Sequence, residues 1–131
     1  MYEITEQYSF MATHEIHGLP DGHRCSGVHL HRWTAELLLA TNKLPPTDGP
    51  SELSGLEPIR RYIMTNLDNR HLNDVLSGPP TPVRLATHVA LWCEEVLDKS
   101  MVKALAAVSV WSDAGSRARF IAPRAIPGGT R

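Results

Sequence analysis

Two segments with helical periodicity lie between two pairs of strand-like segments, and this order restricts the fold more than any other feature. Apolar residues recur at three- and four-residue spacing in the helical segments, for example at Leu56, Ile59 and Ile63. The strand-like segments cover residues 2–14, 28–40, 102–112 and 117–122, and the helical segments cover 54–67 and 82–99. The order ββααββ predicts an α+β fold, with one four-stranded antiparallel sheet and two helices on one face.

Length and charge indicate a single domain that does not bind nucleic acid or membranes. The chain has 131 residues, of which 42% are hydrophobic and 21% charged, and its formal net charge is −1. This charge provides no footprint for nucleic acid or for an anionic membrane. No run approaches the roughly 20 apolar residues of a membrane span. We expect residues 1–122 to form one domain and residues 123–131 to form a flexible C-terminal tail.

The first residues and the cysteine count indicate a cytoplasmic setting. Residues 1–7 carry Glu3 and Glu6 and no apolar run, which is not the pattern of a signal peptide. The two cysteines, Cys25 and Cys93, do not make a disulfide framework. Strand ends at the open edges of the predicted sheet favour pairing between subunits, so we expect a homo-oligomer.

Three histidines form the clearest candidate site. His29 and His31 are two residues apart on a predicted strand and therefore share one face, and the preceding strand ends at His14. Three neutral imidazoles with one open position are the ligand set of a catalytic zinc ion. The chain contains seven histidines, however, so chance pairs are expected, and the alternative is that these are strand histidines hydrogen-bonded only to their neighbours.

Cys25 is the candidate reactive thiol. It lies in a loop, directly after Arg24 and a few residues before the histidine pair. A basic neighbour and a nearby metal would lower the pKa of the thiol and favour the reactive thiolate. The alternative is an inert, half-buried thiol. Cys93 falls on the apolar face of the second helix and is predicted to belong to the core.

A carboxylate and an imidazole also lie close together in the segment between the helices. Asp68 and His71 are three residues apart in the run LDNRHLND, at 67–74. An Asp that orients a His is a common arrangement for a general acid or base near neutral pH. Helix capping by Asp68 or Asn69 is the other interpretation.

Taken together, four ordered motifs resemble the 6-pyruvoyltetrahydropterin synthase family, including its bacterial branch, 6-carboxytetrahydropterin synthase. The run YSFMATH resembles the family's Phe-x-Ala-Ala-His strand, and LPDGHRC with VHLH resembles Leu-Pro…Gly-His-Lys-Cys…Leu-His-Gly-His. The run LDNRHLND resembles Leu-Asp-His-x-x-Leu-Asn-Asp, and PTPVRLA resembles Pro-Thr-Ser-Glu-Asn-Leu-Ala. In order, these runs occupy 8–14, 19–25 with 28–31, 67–74 and 80–86.

The resemblance implies a fold, an assembly and a chemistry. The fold would be the tunnelling fold, assembled as a hexamer of two stacked trimeric barrels. His14, His29 and His31 would bind Zn²⁺, Cys25 would be the catalytic thiolate, and Asp68 would be the acidic half of an Asp-His pair. The zinc would act as a Lewis acid on the oxygens of the substrate side chain. The substrate of the family is 7,8-dihydroneopterin triphosphate.

The chain departs from the family pattern at residues that would contact or process the substrate. Asn69 stands where the family has the His of the Asp-His pair, so His71 would have to replace it. Ser112 stands where the family has the Glu that binds the amino-pyrimidine edge of the pterin, and only the adjacent Asp113 offers a carboxylate for this charge-assisted contact. Val83 and Leu30 replace a Glu and a Gly of the family motifs.

These departures lead to the hypothesis of a divergent enzyme. The zinc ligands and Cys25 are kept while the substrate-side groups change, so we expect a zinc-dependent lyase or synthase that acts on a modified or non-pterin small molecule. One alternative is a genuine pterin synthase in which Asp113 and His71 do the missing work. Others are a non-catalytic zinc-binding homologue and a structural protein without metal.

Overall fold

A computed structural model describes residues 1–20, 22, 27–42 and 55–123. Cys25 lies outside the described residues, and so does most of the predicted tail at 123–131. The connection around the three prolines at 45, 46 and 50 is also outside them.

Among the described residues, five strands form one sheet in the order β3-β1-β2-β4-β5. Their bounds are Tyr2–His14 for β1, His29–Thr41 for β2, Arg70–His71 for β3, Leu105–Ser112 for β4 and Arg117–Ile121 for β5. All pairs are antiparallel except β3, which runs parallel to the end of β1. The two long strands pair along their whole length, from Tyr2 opposite Thr41 to His14 opposite His29.

In the described part of the chain, three α-helices lie between the strands. Helix α1 (Glu57–Tyr62) continues into a π-helical turn (Ile63–Leu67), and α2 (Pro82–Val96) and α3 (Lys99–Ala104) follow. Thr81 begins α2 by accepting a hydrogen bond from the N–H of Arg84, with Pro82 at the first helical position as expected. Within the described part of the chain, no helix combines the length and the apolar content that crossing a bilayer requires.

The predicted α+β class is confirmed, but the sheet has one more strand than the sequence predicts. After the π-helical turn, Asn69 adopts a left-handed backbone (φ 60°) and its N–H binds the carbonyl of Met11 over 2.7 Å. This turn lays Arg70 and His71 against the edge of β1, where they become β3. Two residues are too few for a periodic pattern, so β3 left no strand signal in the sequence.

The predicted third strand begins three residues too early. Residues 102–104 belong to α3, and β4 begins at Leu105. The carboxylate of Asp98 accepts a hydrogen bond from the N–H of Met101 over 3.0 Å and so begins a short helix before the strand. The other boundaries differ from the predictions by at most three residues among those described.

The hydrophobic core lies between one face of the sheet and the helices. Alternate strand residues face it, because successive side chains of a strand point to opposite sides. Both α1 and α2 contribute to the same cluster, so they lie on one face of the sheet, as predicted. Its buried members include Phe10, Trp33, Leu37, Ile59, Ile63, Leu67, Leu85, Val89 and Cys93.

Two leucines of α2 provide a test of this core. Leu85 is fully buried, whereas Leu91 is 52% exposed. We expect Leu85→Ala to lower the free energy of unfolding by about 2–5 kcal/mol, since it removes buried surface and leaves a cavity. Leu91→Ala makes the same chemical change in the same helix and should cost about 0.5 kcal/mol or less. Urea denaturation followed by circular dichroism measures both, and equal losses would contradict the described packing.

Candidate metal centre

Three histidines face one another where β1 ends and β2 begins. His14 is paired with His29, and His31 lies two residues further along β2, on the same face of the sheet. One ring nitrogen from each residue lies within 4.8 Å of the others. The ring centroids of His14 and His29 are 4.4 Å apart, and that of His31 is 4.5 Å from His29. The structure therefore brings together the three residues that the spacing predicts as a metal site.

Backbone carbonyls hold the rings of His14 and His29. Nδ1 of His14 donates to the carbonyl oxygen of Pro80 over 2.8 Å, and Nδ1 of His29 donates to that of Gly27 over 2.5 Å. Because a carbonyl oxygen only accepts hydrogen bonds, each neutral ring carries its proton on Nδ1 and its lone pair on Nε2. Contacts of this kind orient most histidine ligands of metals in proteins.

A carboxylate holds the third ring. Nδ1 of His31 donates to Oδ1 of Asp113 over 2.6 Å. The other oxygen of Asp113 accepts the N–H of Arg32 over 3.3 Å. The contacts with Arg32 and His31 keep the pKa of Asp113 below its ordinary value, so the group is an anion at neutral pH. All three rings thus have an acceptor at Nδ1 and turn Nε2 inward.

The distance between two of these nitrogens shows that the donor set fits a cation. Nε2 of His14 and Nε2 of His29 are 2.8 Å apart. With both ring protons on Nδ1, these atoms present lone pairs to each other, and the lone pairs repel unless a cation or a shared proton lies between them. A metal ion held by three Nε2 atoms removes this repulsion. The residues present therefore fit a metal ion.

Burial favours the form of His14 that binds metal. The residue is only 6% exposed. Burial lowers the pKa of His14 below its ordinary value, and positive charge placed on His29, His31 or His71 would lower it further, against the opposite effect of the bond to Pro80. The ring is therefore neutral near pH 7, and a neutral imidazole is the metal-binding form.

Trp33 forms the floor beneath the histidines. Its indole is fully buried and meets the rings of His14 and His31 edge to face, with centroids 5.0 and 5.8 Å apart. The indole N–H donates to the carbonyl oxygen of Ala12 over 3.2 Å. Because Trp33 also belongs to the core cluster, the histidines rest directly on the packed interior.

The two predicted substrate-binding residues at the end of β4 already have partners within the chain. Ser112 is buried, and its hydroxyl oxygen accepts the N–H of Ala114 over 3.2 Å. The carboxylate of Asp113 lies against His31 and Arg32, as described above. Neither residue presents a carboxylate that is free of other contacts.

The predicted acid–base residues lie beside β1. Oδ1 of Asp68 accepts the N–H of Met11 over 2.9 Å. Nδ1 of His71 lies 2.9 Å from the hydroxyl oxygen of Thr13. Since Thr13 and His14 are consecutive in a strand, their side chains point to opposite faces, and His71 approaches the face away from the three rings. His71 is still close enough for its charge to lower the pKa of His14.

Of the two cysteines, the structure describes Cys93. Cys25 lies outside the described residues. Cys93 is fully buried in the core, and burial raises the pKa of its thiol to about 12. The thiolate is the reactive form of cysteine, so Cys93 is unreactive near neutral pH, in agreement with its predicted place in the core.

Some contributors to the site were not predicted from the sequence. Backbone carbonyls such as those of Pro80 and Gly27 leave no sequence signal, because every residue has one. The floor position of Trp33 has a signal, since it lies two residues beyond His31 and shares its face. Leu30 alternates to the other face and is 57% exposed, so it leaves the three rings unobstructed.

Comparisons with known proteins identify the family and the fold of the chain. The family model described as 6-pyruvoyl tetrahydropterin synthase matches residues 3–122. The 6-pyruvoyl tetrahydropterin synthase of Caenorhabditis elegans superposes with a TM-score of 0.75 and 17% identity, over 92% of this chain and 95% of that one. An uncharacterised protein of Wolinella succinogenes gives 0.72 and 16%, over 92% and 97%. A Plasmodium vivax 6-pyruvoyltetrahydropterin synthase, mutated at a catalytic residue, gives 0.61 and 16%, over 91% and 96%.

Metal binding to the three histidines can be measured directly. We expect one Co²⁺ ion per chain, with the visible absorption of a cobalt–imidazole complex. His29→Ala removes one of three ligands and should abolish stoichiometric binding. His88→Ala is the matched control, because His88 binds the hydroxyl of Tyr62 away from the site. Full cobalt binding by the His29→Ala variant would contradict the ligand set.

Proposed function

We propose that this chain, which belongs to the 6-pyruvoyl tetrahydropterin synthase family, is a zinc-dependent lyase or synthase whose small-molecule substrate is a modified pterin or not a pterin. The observation that carries the proposal is a contrast within the site: the three candidate metal ligands converge, but the carboxylate that could bind a pterin already has partners. Three histidines are each held at Nδ1 and converge through Nε2. Asp113 lies next to Ser112, the position of the family's pterin-binding Glu, and its carboxylate is hydrogen-bonded to one of these histidines, His31.

Zinc is the metal that these ligands favour. Three imidazole nitrogens with a fourth position open are typical of catalytic zinc, whereas structural sites usually have four protein ligands. His14 is buried while His29 and His31 are only partly so, which leaves the centre accessible from one side. When bound, zinc would supply Lewis-acid polarisation of a hydroxyl or carbonyl oxygen of the substrate.

Cys25 is the proposed proton carrier. Its role follows from its match to the family's Gly-His-Lys-Cys motif. Cys93 cannot substitute for it, since that thiol is buried and has a raised pKa. A thiolate at position 25 would take a proton from the substrate carbon next to the polarised oxygen and return it elsewhere on the side chain.

Asp68 and His71 are the proposed second acid–base pair. The carboxylate of Asp68 is anchored by the N–H of Met11, and the imidazole of His71 by the hydroxyl of Thr13. Asn69 cannot carry a proton at neutral pH, and its left-handed backbone makes it a turn residue. His71 is therefore the proton-carrying group that the segment offers in its place, although its ring bonds Thr13 on the face of β1 away from the three histidines and is held separately from Asp68.

The surroundings of Ser112 and Asp113 support the altered substrate. A guanidine-like pterin edge is bound by two parallel hydrogen bonds to one carboxylate. Ser112 lacks a carboxylate, and both oxygens of Asp113 are engaged within the chain. A hydroxy-carbonyl compound without that edge would need only the metal, Cys25 and the acid–base pair.

Product analysis tests the activity. Zinc-loaded protein is incubated with 7,8-dihydroneopterin triphosphate and, separately, with a panel of α-hydroxy carbonyl compounds, and the products are identified by mass spectrometry. We expect the pterin to stay unchanged and one hydroxy-carbonyl compound to be converted. That conversion should be lost with Cys25→Ala and kept with Cys93→Ala, the matched control.

Two outcomes of that assay would contradict the proposal. A change in the pterin that depends on Cys25 would show that the family reaction is retained. Zinc binding without conversion of any compound would identify a non-catalytic homologue.

We also propose that the chain assembles as a hexamer of two trimeric barrels, as the family resemblance implies. In the described part of the chain, no strand pairs with the outer edge of β5, and β3 covers only two residues of β1. Open edges pair readily with other strands. Native mass spectrometry should give six times the chain mass of 14.5 kDa, and a monomer at all concentrations would contradict this.

A further inference from the structure

We infer that Asp113 is a positioning residue of the metal centre, and that its carboxylate orients His31 as a ligand instead of binding the substrate. The inference rests on the proposed function in that it requires a bound metal. Family resemblance suggests that Asp113, at the end of β4, binds the pterin edge. The inference instead assigns His31 as the partner of this carboxylate.

The geometry places Asp113 on His31 through several contacts. Oδ1 lies 2.6 Å from Nδ1 of His31, and Oδ2 accepts the N–H of Arg32 over 3.3 Å. The backbone N–H of Asp113 also donates to the carbonyl of Arg32 over 3.0 Å. The pairing of Trp33 with Ser112 brings residue 113 to this point of β2. Hydrogen bonds therefore hold both the backbone and the side chain of Asp113 in place.

The turn after Asp113 adds to this fixation. The hydroxyl oxygen of Ser112 accepts the N–H of Ala114, and the carbonyl of Ser112 accepts the N–H of Gly115 over 3.1 Å. Gly115 has a φ of +101°, a conformation that favours glycine, and so closes the turn. The departure of Ser112 from the family's Glu thus supports the position of Asp113.

The chemistry explains why a carboxylate is effective here. An ionised carboxylate has no proton to donate, so His31 must carry its proton on Nδ1 and present Nε2 to the metal. His14 and His29 are oriented by neutral carbonyls, and His31 alone by an anion. A charged acceptor makes the ring a stronger electron donor and so strengthens its bond to the metal.

Metal binding and substrate binding make competing demands on the same carboxylate. The side chain of Asp113 is 57% exposed, so a ligand can reach it. Two parallel hydrogen bonds to a guanidine-like edge would nevertheless compete with His31 and Arg32 for the same two oxygens. The two roles therefore predict different effects of substitution, one on metal affinity and the other on substrate affinity.

The test compares three variants by their affinity for Zn²⁺, measured in competition with a chromophoric chelator. Asp113→Ala removes the acceptor. Asp113→Asn keeps the size of the side chain but places an N–H₂ group against either His31 or Arg32. Asp98→Ala is the control, because Asp98 also accepts a backbone N–H at a turn but only begins α3. We expect both Asp113 variants to bind zinc about 10–100-fold more weakly, and Asp98→Ala to bind it like the wild type.

A second readout separates this role from a structural one. Nitrogen-15 NMR of the metal-free protein should show the His31 proton on Nδ1 in the wild type. In Asp113→Asn the proton should move, in part or wholly, to Nε2, where it blocks metal binding. Circular dichroism of both variants verifies folding, and if Asp113→Ala does not fold, Asp113→Asn carries the test.

The outcomes distinguish the inference from the proposed function. Zinc binding by both Asp113 variants as tight as in the wild type, with an unchanged His31 tautomer, would overturn the inference alone. Normal zinc affinity with weaker substrate binding would assign Asp113 to the substrate. A wild type that binds no zinc would overturn both. Zinc affinity that falls as expected, in a protein that converts no substrate, would support the positioning role and count against catalysis.

Discussion

The register between β1 and β2 is the constraint on which the site depends. It sets His14 opposite His29, so the last side chain of one strand and the first of the next meet on the same face. His31 then follows on that face because side chains of a strand alternate. A shift of one residue would turn the histidines of β2 to the other face and replace them with Leu30 and Arg32. The core opposes such a shift, since Trp33, Ala35 and Leu37 would leave it together.

The candidate metal centre and the hydrophobic core are consequently one structure. Trp33 packs under the rings of His14 and His31 and also fills the interior. Pro80, which holds His14, directly precedes the capping residue of α2. The position of the helix therefore determines where His14, one of the three candidate metal ligands, is held. Stability and ligand geometry are set by the same packed residues.

The parts of this arrangement that the sequence predicts are those with a repeating or local signal. Alternation in the long strands and the spacing of Leu56, Ile59 and Ile63 predict the α+β fold, and the spacing of His29 and His31 predicts their shared face. The short β3 and the start of α3 could not be found in this way. The first depends on the left-handed turn at Asn69 and the second on a single cap at Asp98.

The candidate site could be predicted only in part: its three histidines could, but the partner of Asp113 could not. The meeting of His14 with the histidines of β2 follows from the pairing of consecutive strands, and the structure shows the same three rings together. The partner of Asp113 could not be read from its neighbours in the chain, because His31 is 82 residues away. Only the register between β2 and β4 brings them together. The partner of a side chain at the end of a strand can be predicted only when the neighbouring strand and its register are known.

The hydrogen-bond acceptors of the three rings differ in how easily a point mutation can remove them. A substitution at position 27 or 80 leaves a carbonyl oxygen in the chain, so the partners of His29 and His14 are hard to lose by point mutation. The partner of His31 is a side chain, and one codon change can remove its charge. Natural variation at position 113 would thus adjust the electron density on a metal bound by the three histidines while each of these proposed ligands stays in place. Selection could retune the reactivity of such a centre from outside its coordination sphere.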